Sequence, residues 1–247
     1  MRKRHITSCF LSLAVITVFG QGSIDTIVHT PYGNEVDATY VPVDANPSER
    51  HFLDSIRADS FPNAIFYPTY PDIPSYPDLS STYRFNCHGY AWHMTKGDYS
   101  IEDFTDPVVM VYEYAELYFT NDPSFKECEV SEANIWWIND GAHSALATSS
   151  ENHLKSKWDN GPLAYHHKNE SPYSISSVSF YKLCFKRLTK YYSSYEFEDC
   201  CKLELLNSYI NDEGNVDIEF EDWVELTGTF TVEEGAELFI HSVSGVD

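Results

Sequence analysis

Three short runs of alternating apolar and polar residues follow one another in "NIWWINDGAHSALATSSENHLKSKW", residues 134–158. Turn residues, "NDG" and "SSEN", separate the runs, and this pattern predicts a β-meander. In the central run His143, Ala145 and Ala147 share one face, because side chains alternate along a strand. Two alanines beside one histidine predict a shallow, accessible face.

A helix is predicted upstream of the meander, in "NCHGYAWHMTKG", residues 86–97. Asn86 is a favoured N-cap residue and Gly97 a favoured terminator. Cys87 then lies at the first helical position. Tyr90, Ala91 and Met94 follow on the same face. Periodicity does not decide between strand and helix for "PVVMVYEYAEL", whereas "ISSVSFYKLCFKRL" predicts a strand.

The N-terminal segment, residues 23–80, is rich in Pro, Ser, Asp and Tyr. Repeated proline removes backbone donors and prevents long helices, so most of this segment is expected to run extended or to be partly disordered. One short helix is predicted within it, in "PSERHFLDSIRAD", residues 47–59.

The C-terminal stretch, residues 193–247, is strongly acidic and carries alternating runs separated by "DEGN", "TG" and "EEG". We predict a small all-β module there. Its "VELTGTFTVEEGAELFIHSV" resembles β-stack modules that end many exported proteins of Bacteroidetes-like bacteria. The resemblance implies a spacer, a secretion signal or a binding module, and the alternative is that these strands complete the main sheet.

Residues 1–22 differ from the rest of the chain. Arg2, Lys3 and Arg4 precede the apolar run "CFLSLAVITVFG", which is typical of a secretory signal peptide. The run is shorter than the ~18–20 residues that span a membrane, which disfavours an uncleaved anchor. We therefore expect a secreted or periplasmic protein. Cleavage takes the formal charge from −22 to −25. So acidic a surface repels nucleic acid and anionic membranes, and neither is expected as a partner.

Five cysteines follow the signal peptide, and an odd number in an exported protein suggests a free thiol. Adjacent Cys200 and Cys201 rarely bond each other, and Cys128 and Cys184 are available as their partners. Cys87 is then the unpaired residue, although three free thiols fit the count equally well.

The predicted helix and meander carry a candidate nucleophile and base. A cysteine at a helix N-terminus sees the positive end of the helix dipole, which favours the thiolate. A nucleophile also needs a base, and His143 on the middle strand is the best candidate.

The three ordered motifs "NCHGYAW", "AHSALA" and "SKWDNGPLAYH" resemble the papain-like amidase and peptidase superfamily that includes the NlpC and CHAP families. More closely, they resemble a group of exported bacterial proteins with an "NCHxYAW … HSA … SKWGxGPLxxH" pattern. The resemblance covers residues 81–173. It implies a helix packed on an antiparallel sheet and hydrolysis of an amide, commonly in peptidoglycan stem peptides.

In this resemblance Cys87 matches the nucleophile and His143 the base. The family's third residue, which orients the imidazole, usually lies on the strand after the histidine. Ser156 or Lys157 occupies that place here, and His166 is the alternative. Lysine cannot accept a hydrogen bond from the imidazole, and serine does so weakly. The chain also has Asn86 where the family commonly has Asp or Gln, and "SKWD" in place of "SKWG".

Substrate contacts are predicted for four residues near these motifs. The oxyanion would be held by the Cys87 backbone N–H and a second donor from Tyr83 or His88. Two interpretations fit the aromatic residue Trp92: it packs in the core, or its ring contacts the substrate. The four candidate substrate-binding residues are Tyr83, His88, Trp92 and Trp158.

Metal binding is the competing chemistry, since Cys87, His88, His93 and His143 are suitable zinc ligands. Adjacent residues on a helix point ~100° apart, and no CxxC or HxxxH pair supports such a site. We predict no metal and no cofactor. A serine triad is also disfavoured, because the chain lacks a GxSxG motif.

The sequence thus predicts an α+β fold in four parts. They are a signal peptide (1–22), a Pro-rich extended segment (23–80), a papain-like core (81–192) and a C-terminal β module (193–247). The predicted function is an exported cysteine amidase or peptidase. The alternatives are a catalytically weak or inactive peptide- or glycan-binding protein on the same scaffold, and an effector that cleaves proteins of a host or competitor.

Overall fold

The structure is a computed structural model and describes residues 22–69, 79–101, 104, 106–122, 124–188, 192–206, 209–227, 231–232, 234 and 237–242. Only residue 22 of the predicted signal peptide, residues 1–22, is among them. None of the helices within them is both long and apolar enough to cross a membrane.

A seven-stranded antiparallel sheet forms the centre of the fold, in the order β3-β8-β7-β6-β5-β9-β4. Its strands are β3 (Ile65–Tyr67), β4 (Phe125–Glu127), β5 (Ile135–Ile138), β6 (His143–Ala147), β7 (His153–Lys157), β8 (Leu163–His167) and β9 (Val178–Leu183). The predicted meander is confirmed as β5, β6 and β7, because neighbouring strands pair antiparallel through short turns. The combination of this sheet with few helices is an α+β architecture, as predicted.

The predicted helix after Asn86 is present as a π-helix, Gly89–Met94, preceded by one helical turn that begins at Cys87. It ends where predicted, since the Gly97 N–H returns to the Ala91 carbonyl at 3.2 Å and Gly97 has a φ of +84°. The helix packs against β6 and β7. The undecided segment "PVVMVYEYAEL" forms a bridge at Val109 and then helix α2 (Tyr112–Thr120).

The N-terminal segment is largely structured, contrary to the expectation of an extended or disordered chain. It forms the hairpin β1 (Ile24–His29) and β2 (Glu35–Tyr40), helix α1 (Pro47–Ser60) and strand β3. The predicted helix is confirmed: Asn46 caps it by accepting from the Glu49 N–H at 3.0 Å, and Pro47 begins it. Because β3 pairs with β8, the predicted boundary at residue 80 divides the central sheet.

The main hydrophobic core lies between the central sheet, the π-helix, α2 and the hairpin. Val28, Val36 and Ala38 of the hairpin pack with buried residues of the helices and sheet. The N-terminal segment therefore contributes apolar side chains to the same core as the predicted catalytic part.

The C-terminal region forms a separate parallel sheet of β10 (Phe185–Leu188), β11 (Tyr192–Leu206), β12 (Tyr209–Thr227), β13 (Thr231–Val232) and β14 (Glu237–Ser242). Tyr195 pairs with Val216, which pairs in turn with Leu238, so three strands stack at nearly equal sequence spacing. The predicted turn at "DEGN", residues 212–215, lies inside β12, which has ladder partners on both sides. The sheet also begins at β10, before the predicted boundary at residue 193.

Candidate active site

Cys87 and His143 meet between the start of the helical segment and the first residue of β6. Burial lowers the pKa of His143, while the charge of Cys87 and a hydrogen bond from its side chain act to raise it. Neither ring nitrogen has a partner in regular hydrogen-bonding geometry. The two side chains are thus adjacent, without a hydrogen bond of regular geometry between them. Cys87 is 6% exposed and His143 1%, so both side chains are buried, and the accessible face expected beside His143 is absent.

The cysteine inventory agrees with a free thiol at the site. Cys87 and Cys128 are both free, whereas Cys184 is disulfide-bonded. The prediction of an unpaired Cys87 is therefore confirmed, but Cys128 is a second free thiol. Burial, assisted by the charge of Glu132, raises the pKa of Cys128 to about 11, so its thiol is poorly reactive at neutral pH.

Two other buried histidines, His88 and His166, are fully hydrogen-bonded and provide a comparison. The Nδ1 atom of His88 lies 2.8 Å from Ser144 Oγ, and its other nitrogen binds the Gly141 carbonyl. Burial lowers the pKa of His88 to about 4, so the ring is neutral. A neutral ring that donates to Gly141 accepts from the Ser144 hydroxyl. His88 therefore joins the helix start to β6.

His166 and Ser156, the candidate orienting residues, bind each other. Ser156 Oγ lies 2.9 Å from Nε2 of His166, and Nδ1 of His166 donates to the His167 carbonyl at 2.9 Å. Trp158 Nε1 also donates to Ser156 Oγ, at 3.1 Å. Burial lowers the pKa of His166 to about 4. Since both nitrogens of His143 lack partners, the predicted orienting hydrogen bond is not formed.

The turn before His143 requires backbone conformations that few residues adopt. Asn139, Asp140 and Gly141 all have positive φ, of 52°, 51° and 93°. A Cβ on Gly141 would also meet the Trp137 ring at 2.5 Å. The "NDG" sequence supplies the residue types that tolerate this region, and the predicted turn is confirmed.

Asn86 positions Cys87 through three hydrogen bonds. Its Oδ1 accepts from the Gly89 N–H at 3.0 Å, the predicted cap, and from the Met110 N–H at 3.1 Å. Its Nδ2 donates to the Met110 carbonyl at 2.7 Å. An Asp could cap the helix but could not donate to Met110. Asn and Asp are therefore not interchangeable here, although the capping role alone predicts that they are.

Position 89 requires glycine, because the segment that follows the helix passes close to its Cα. A Cβ at this position would lie 2.0 Å from the Val108 carbonyl oxygen. The backbone of residues 108–110 therefore packs directly on the helix that begins at Cys87.

Lys157, the other residue at the family's third position, is fully buried and binds backbone rather than His143. Its Nζ donates to the carbonyls of Thr82, Asp159 and Gly161. Burial lowers the pKa of Lys157 to about 7, although nearby charges, including Asp159 and Cys87, act to raise it. Lys157 thus ties the segment before Cys87 to the turn between β7 and β8, close to the sulfur.

The same segment is held from the other side by α1. Buried Arg50 donates to the Ser81 carbonyl and, at 3.1 Å, to the Leu79 carbonyl. Asp54 accepts from the N–H groups of Ser80 and Ser81 at 2.9 and 2.8 Å. The chain that leads to Cys87 is therefore fixed by the N-terminal segment, which the sequence pattern did not indicate.

The side chains of the four candidate substrate-binding residues are either hydrogen-bonded to other parts of the protein or buried in its core. The Tyr83 hydroxyl donates to Glu49 Oε1 at 2.7 Å, and His88 is bonded at both nitrogens as described above. Trp92 and Trp158 have no exposed surface. Trp92 packs among five aromatic rings, and Trp158 packs edge-on against Phe61 and Phe66. The prediction of substrate contacts is wrong for the two tryptophans, which are core residues because their large apolar rings fill the space beside the sheet.

Tyr173 is a site residue that the sequence pattern missed. Its ring stacks on the His143 imidazole, with centroids 3.8 Å apart and planes 13° from parallel. Burial raises the pKa of the Tyr173 hydroxyl, and the charge of Cys87 acts in the same direction, which places this residue near the sulfur too. It lies in the loop between β8 and β9, where "SPY" carried no periodic signal.

Two surface clefts lie apart from this pair. One, of about 560 Å³, is lined by hairpin residues with Arg84, His93 and Lys96. The other, of about 680 Å³, lies between Lys96–Tyr99 and residues 131–134. Neither is lined by Cys87 or His143. Within the described residues, no three His, Cys, Asp or Glu side chains converge as a metal site would require.

Comparison of the chain with protein-family models, with curated proteins and with solved structures gave no match.

Proposed function

We propose that the protein is a cysteine hydrolase that cleaves an amide bond, with Cys87 as nucleophile and His143 as base. The observation that carries the proposal is that His143 is buried without a hydrogen-bond partner beside a free thiol. An unsatisfied buried polar group costs about 1–3 kcal/mol. A purely structural histidine avoids this cost, as His88 and His166 do. The arrangement is therefore explained better by a reacting partner than by packing.

The proposed reaction has two halves. His143 takes the thiol proton, and the thiolate of Cys87 attacks the amide carbonyl carbon. The C–N bond then breaks, and the proton passes from His143 to the leaving amine. Water, deprotonated by His143, next attacks the thioester, which releases the carboxylic acid and restores the thiol.

The oxyanion would be stabilised by the backbone at the helix start. The N–H groups of Gly89 and Tyr90 are taken by the side chain and carbonyl of Asn86. The Cys87 N–H lies in the first helical turn, where intrahelical acceptors are absent. It is therefore the donor retained in the proposal, whereas the Tyr83 hydroxyl and His88 ring are already engaged.

The substrate class in the proposal is a peptide, and peptidoglycan stem peptides are the first candidate through the resemblance of the three motifs. Purified cell wall and a denatured protein would be digested in parallel, and released amines would be identified by mass spectrometry. Release from cell wall by the wild type but not by Cys87→Ser supports the proposal. Release from protein alone would instead support the effector alternative.

A second candidate function is a peptide- or glycan-binding protein that has lost activity. The missing orienting hydrogen bond to His143 favours it. The two functions differ in thiol chemistry. Iodoacetamide at pH 6.5, followed by mass spectrometry, would label Cys87 ahead of Cys128 in a hydrolase, and His143→Ala would slow labelling at Cys87 only. Equal, slow labelling of both thiols would contradict the hydrolase.

A further inference from the structure

Neither nitrogen of His143 makes a hydrogen bond of regular geometry, so the contact with Cys87 alone does not fix the plane of the ring. The closest ring to it is that of Tyr173, which lies parallel to the imidazole at 3.8 Å. We propose that Tyr173 is a positioning residue, whose ring holds the His143 imidazole towards Cys87 by stacking, in place of a hydrogen-bonded third residue. This inference rests on the proposed function.

Tyr173 is itself held in place on both sides. On the N-terminal side, Ser171 Oγ donates to the Tyr173 carbonyl at 3.0 Å and accepts from its N–H at 3.3 Å. On the C-terminal side, Asn139 binds the following residues: its Oδ1 accepts from the N–H groups of Ser176 and Ser177 at 2.8 and 3.1 Å. The Tyr173 ring therefore lies on an ordered loop.

Asn139 links this loop directly to His143. It stands at the start of the turn between β5 and β6, and His143 is the first residue after that turn. Asn139 Nδ2 also donates to the Ser174 carbonyl at 2.5 Å. The turn that carries the base and the loop that carries Tyr173 are thus clamped together, so the stacked pair is set before any substrate binds.

Stacking and hydrogen bonding orient an imidazole differently. An aromatic face restricts the plane of the ring and excludes water, but it does not select the nitrogen that carries the proton. The titratable groups around the ring are Cys87, His88, His166 and Tyr173. With burial as the largest influence, the pKa of His143 is lowered, so the ring stays neutral and able to accept a proton in mildly acidic solution.

The test compares Tyr173→Phe, which keeps the ring, with Tyr173→Leu, which removes it. The rate of Cys87 alkylation by iodoacetamide would be measured from pH 5 to 9 by mass spectrometry, with Cys128 as an internal reference. We expect Tyr173→Phe to match the wild type. Tyr173→Leu should lose roughly tenfold or more, a part of the 10²–10⁴-fold that a positioned base contributes. Its acidic limb should move up towards the ordinary imidazole range, because water reaches the ring.

Proton NMR of the His143 ring provides a readout independent of reactivity. A stacked tyrosine or phenylalanine shifts the imidazole C–H signals upfield, and we expect this shift in the wild type and Tyr173→Phe but not in Tyr173→Leu. For amide hydrolysis, kcat should fall in Tyr173→Leu while KM changes little.

A second variant tests the inference independently if Tyr173→Leu does not fold. Asn139→Gly keeps a residue that tolerates positive φ but removes the side-chain bonds of the clamp, leaving the backbone bond to the Ser177 carbonyl, and it should slow Cys87 alkylation in the same direction. If Tyr173→Leu loses the upfield shift but keeps the wild-type alkylation rate and pH profile, the inference is overturned and the hydrolase stands. If wild-type Cys87 reacts no faster than Cys128, the proposed function itself fails.

Discussion

Asn86 and Met110 bind each other as two strands of a sheet would, with the Asn86 side-chain amide in place of one backbone. The amide donates to the Met110 carbonyl at 2.7 Å and accepts from the Met110 N–H at 3.1 Å. This contact joins the residue before Cys87 to the segment that leads into α2.

Replacement of Asn86 by Asp tests this contact. Asp keeps the helix cap but leaves the Met110 carbonyl without a donor, so the free energy of unfolding should fall by about 1–3 kcal/mol. Urea denaturation would measure it. Asn169→Asp, which makes the same change at an exposed position, should alter stability by less than about 0.5 kcal/mol. Equal effects of the two variants would contradict the role of the Asn86 amide.

Replacement of His143 by Phe should stabilise the protein while it abolishes the enhanced reactivity of Cys87. The change removes two unpaired buried nitrogens and keeps a ring to stack on Tyr173, so a gain of about 1–3 kcal/mol is expected. His166→Phe is the matched control and should destabilise, because the Ser156 hydroxyl loses its acceptor and the His167 carbonyl loses its donor. Thermal denaturation of both variants would measure these changes in stability. Destabilisation by His143→Phe as large as that by His166→Phe would argue against an unsatisfied base.

Acid should destabilise the fold through the buried histidines. The pKa of His166 is about 4, below its ordinary value of 6.5, so between these pH values the unfolded chain binds the proton and the folded chain does not. Stability contributed by the neutral ring is complete above pH 6.5 and is lost as the pH falls towards 4. In His166→Gln this part of the dependence is absent. The slope of unfolding free energy should therefore be lower than in the wild type, by up to about 1.4 kcal/mol per pH unit. Identical slopes would contradict the assignment.

Arg50 should be needed for folding although it lies in the Pro-rich segment that the sequence predicts to be mostly extended or partly disordered. Arg50→Met removes the ion-pair partner of Asp44 and one donor each from the carbonyls of Leu79 and Ser81, and loss of one member of a buried charged pair costs roughly 3–5 kcal/mol. The neighbouring exposed residue gives the control His51→Met, which should have little effect. Wild-type stability of Arg50→Met in urea would contradict this role of Arg50.

Lys157→Met should be destabilising, by at least about 3 kcal/mol, because three buried carbonyls lose their donor. The pKa of Lys157 is about 7, below the ordinary 10.5, so between these values the unfolded chain binds the extra proton and wild-type stability gains with rising pH. The loss caused by Lys157→Met should therefore be larger at pH 9 than at pH 7. Urea denaturation at both pH values checks this, and a loss that shrinks with pH would contradict it.

Local chemistry in the sequence determined several parts of the fold. Asn46 and Pro47 begin α1, Asn86 caps the helix at Cys87, and "NDG" forms the turn before His143. In each case the decisive interaction spans a few residues, so cap, turn and alternation signals are sufficient. The count of cysteines indicated an unpaired thiol and named Cys87 in one of its two interpretations, but it did not single out Cys128, which is also free.

The tertiary structure alone decided how the site is built. Lys157 and Trp158 are polar and amphipathic residues whose burial depends on carbonyls and rings supplied by distant segments. Ser156 binds His166 across two strands, which a count of residues along the chain does not show. The stack of Tyr173 on His143 joins a loop to a strand thirty residues away in the chain.

The physical reason for this division lies in the range of the interactions. Caps, turns and alternating runs are satisfied by neighbours in the chain, so residue type and spacing specify them. Burial, stacking and the satisfaction of a histidine nitrogen depend on which surfaces meet after the sheet forms, and no local pattern encodes that meeting. Sequence alone thus indicated Cys87 and His143, whereas packing determined that Tyr173 covers the His143 ring and that Ser156 and His166 bind each other instead of this ring.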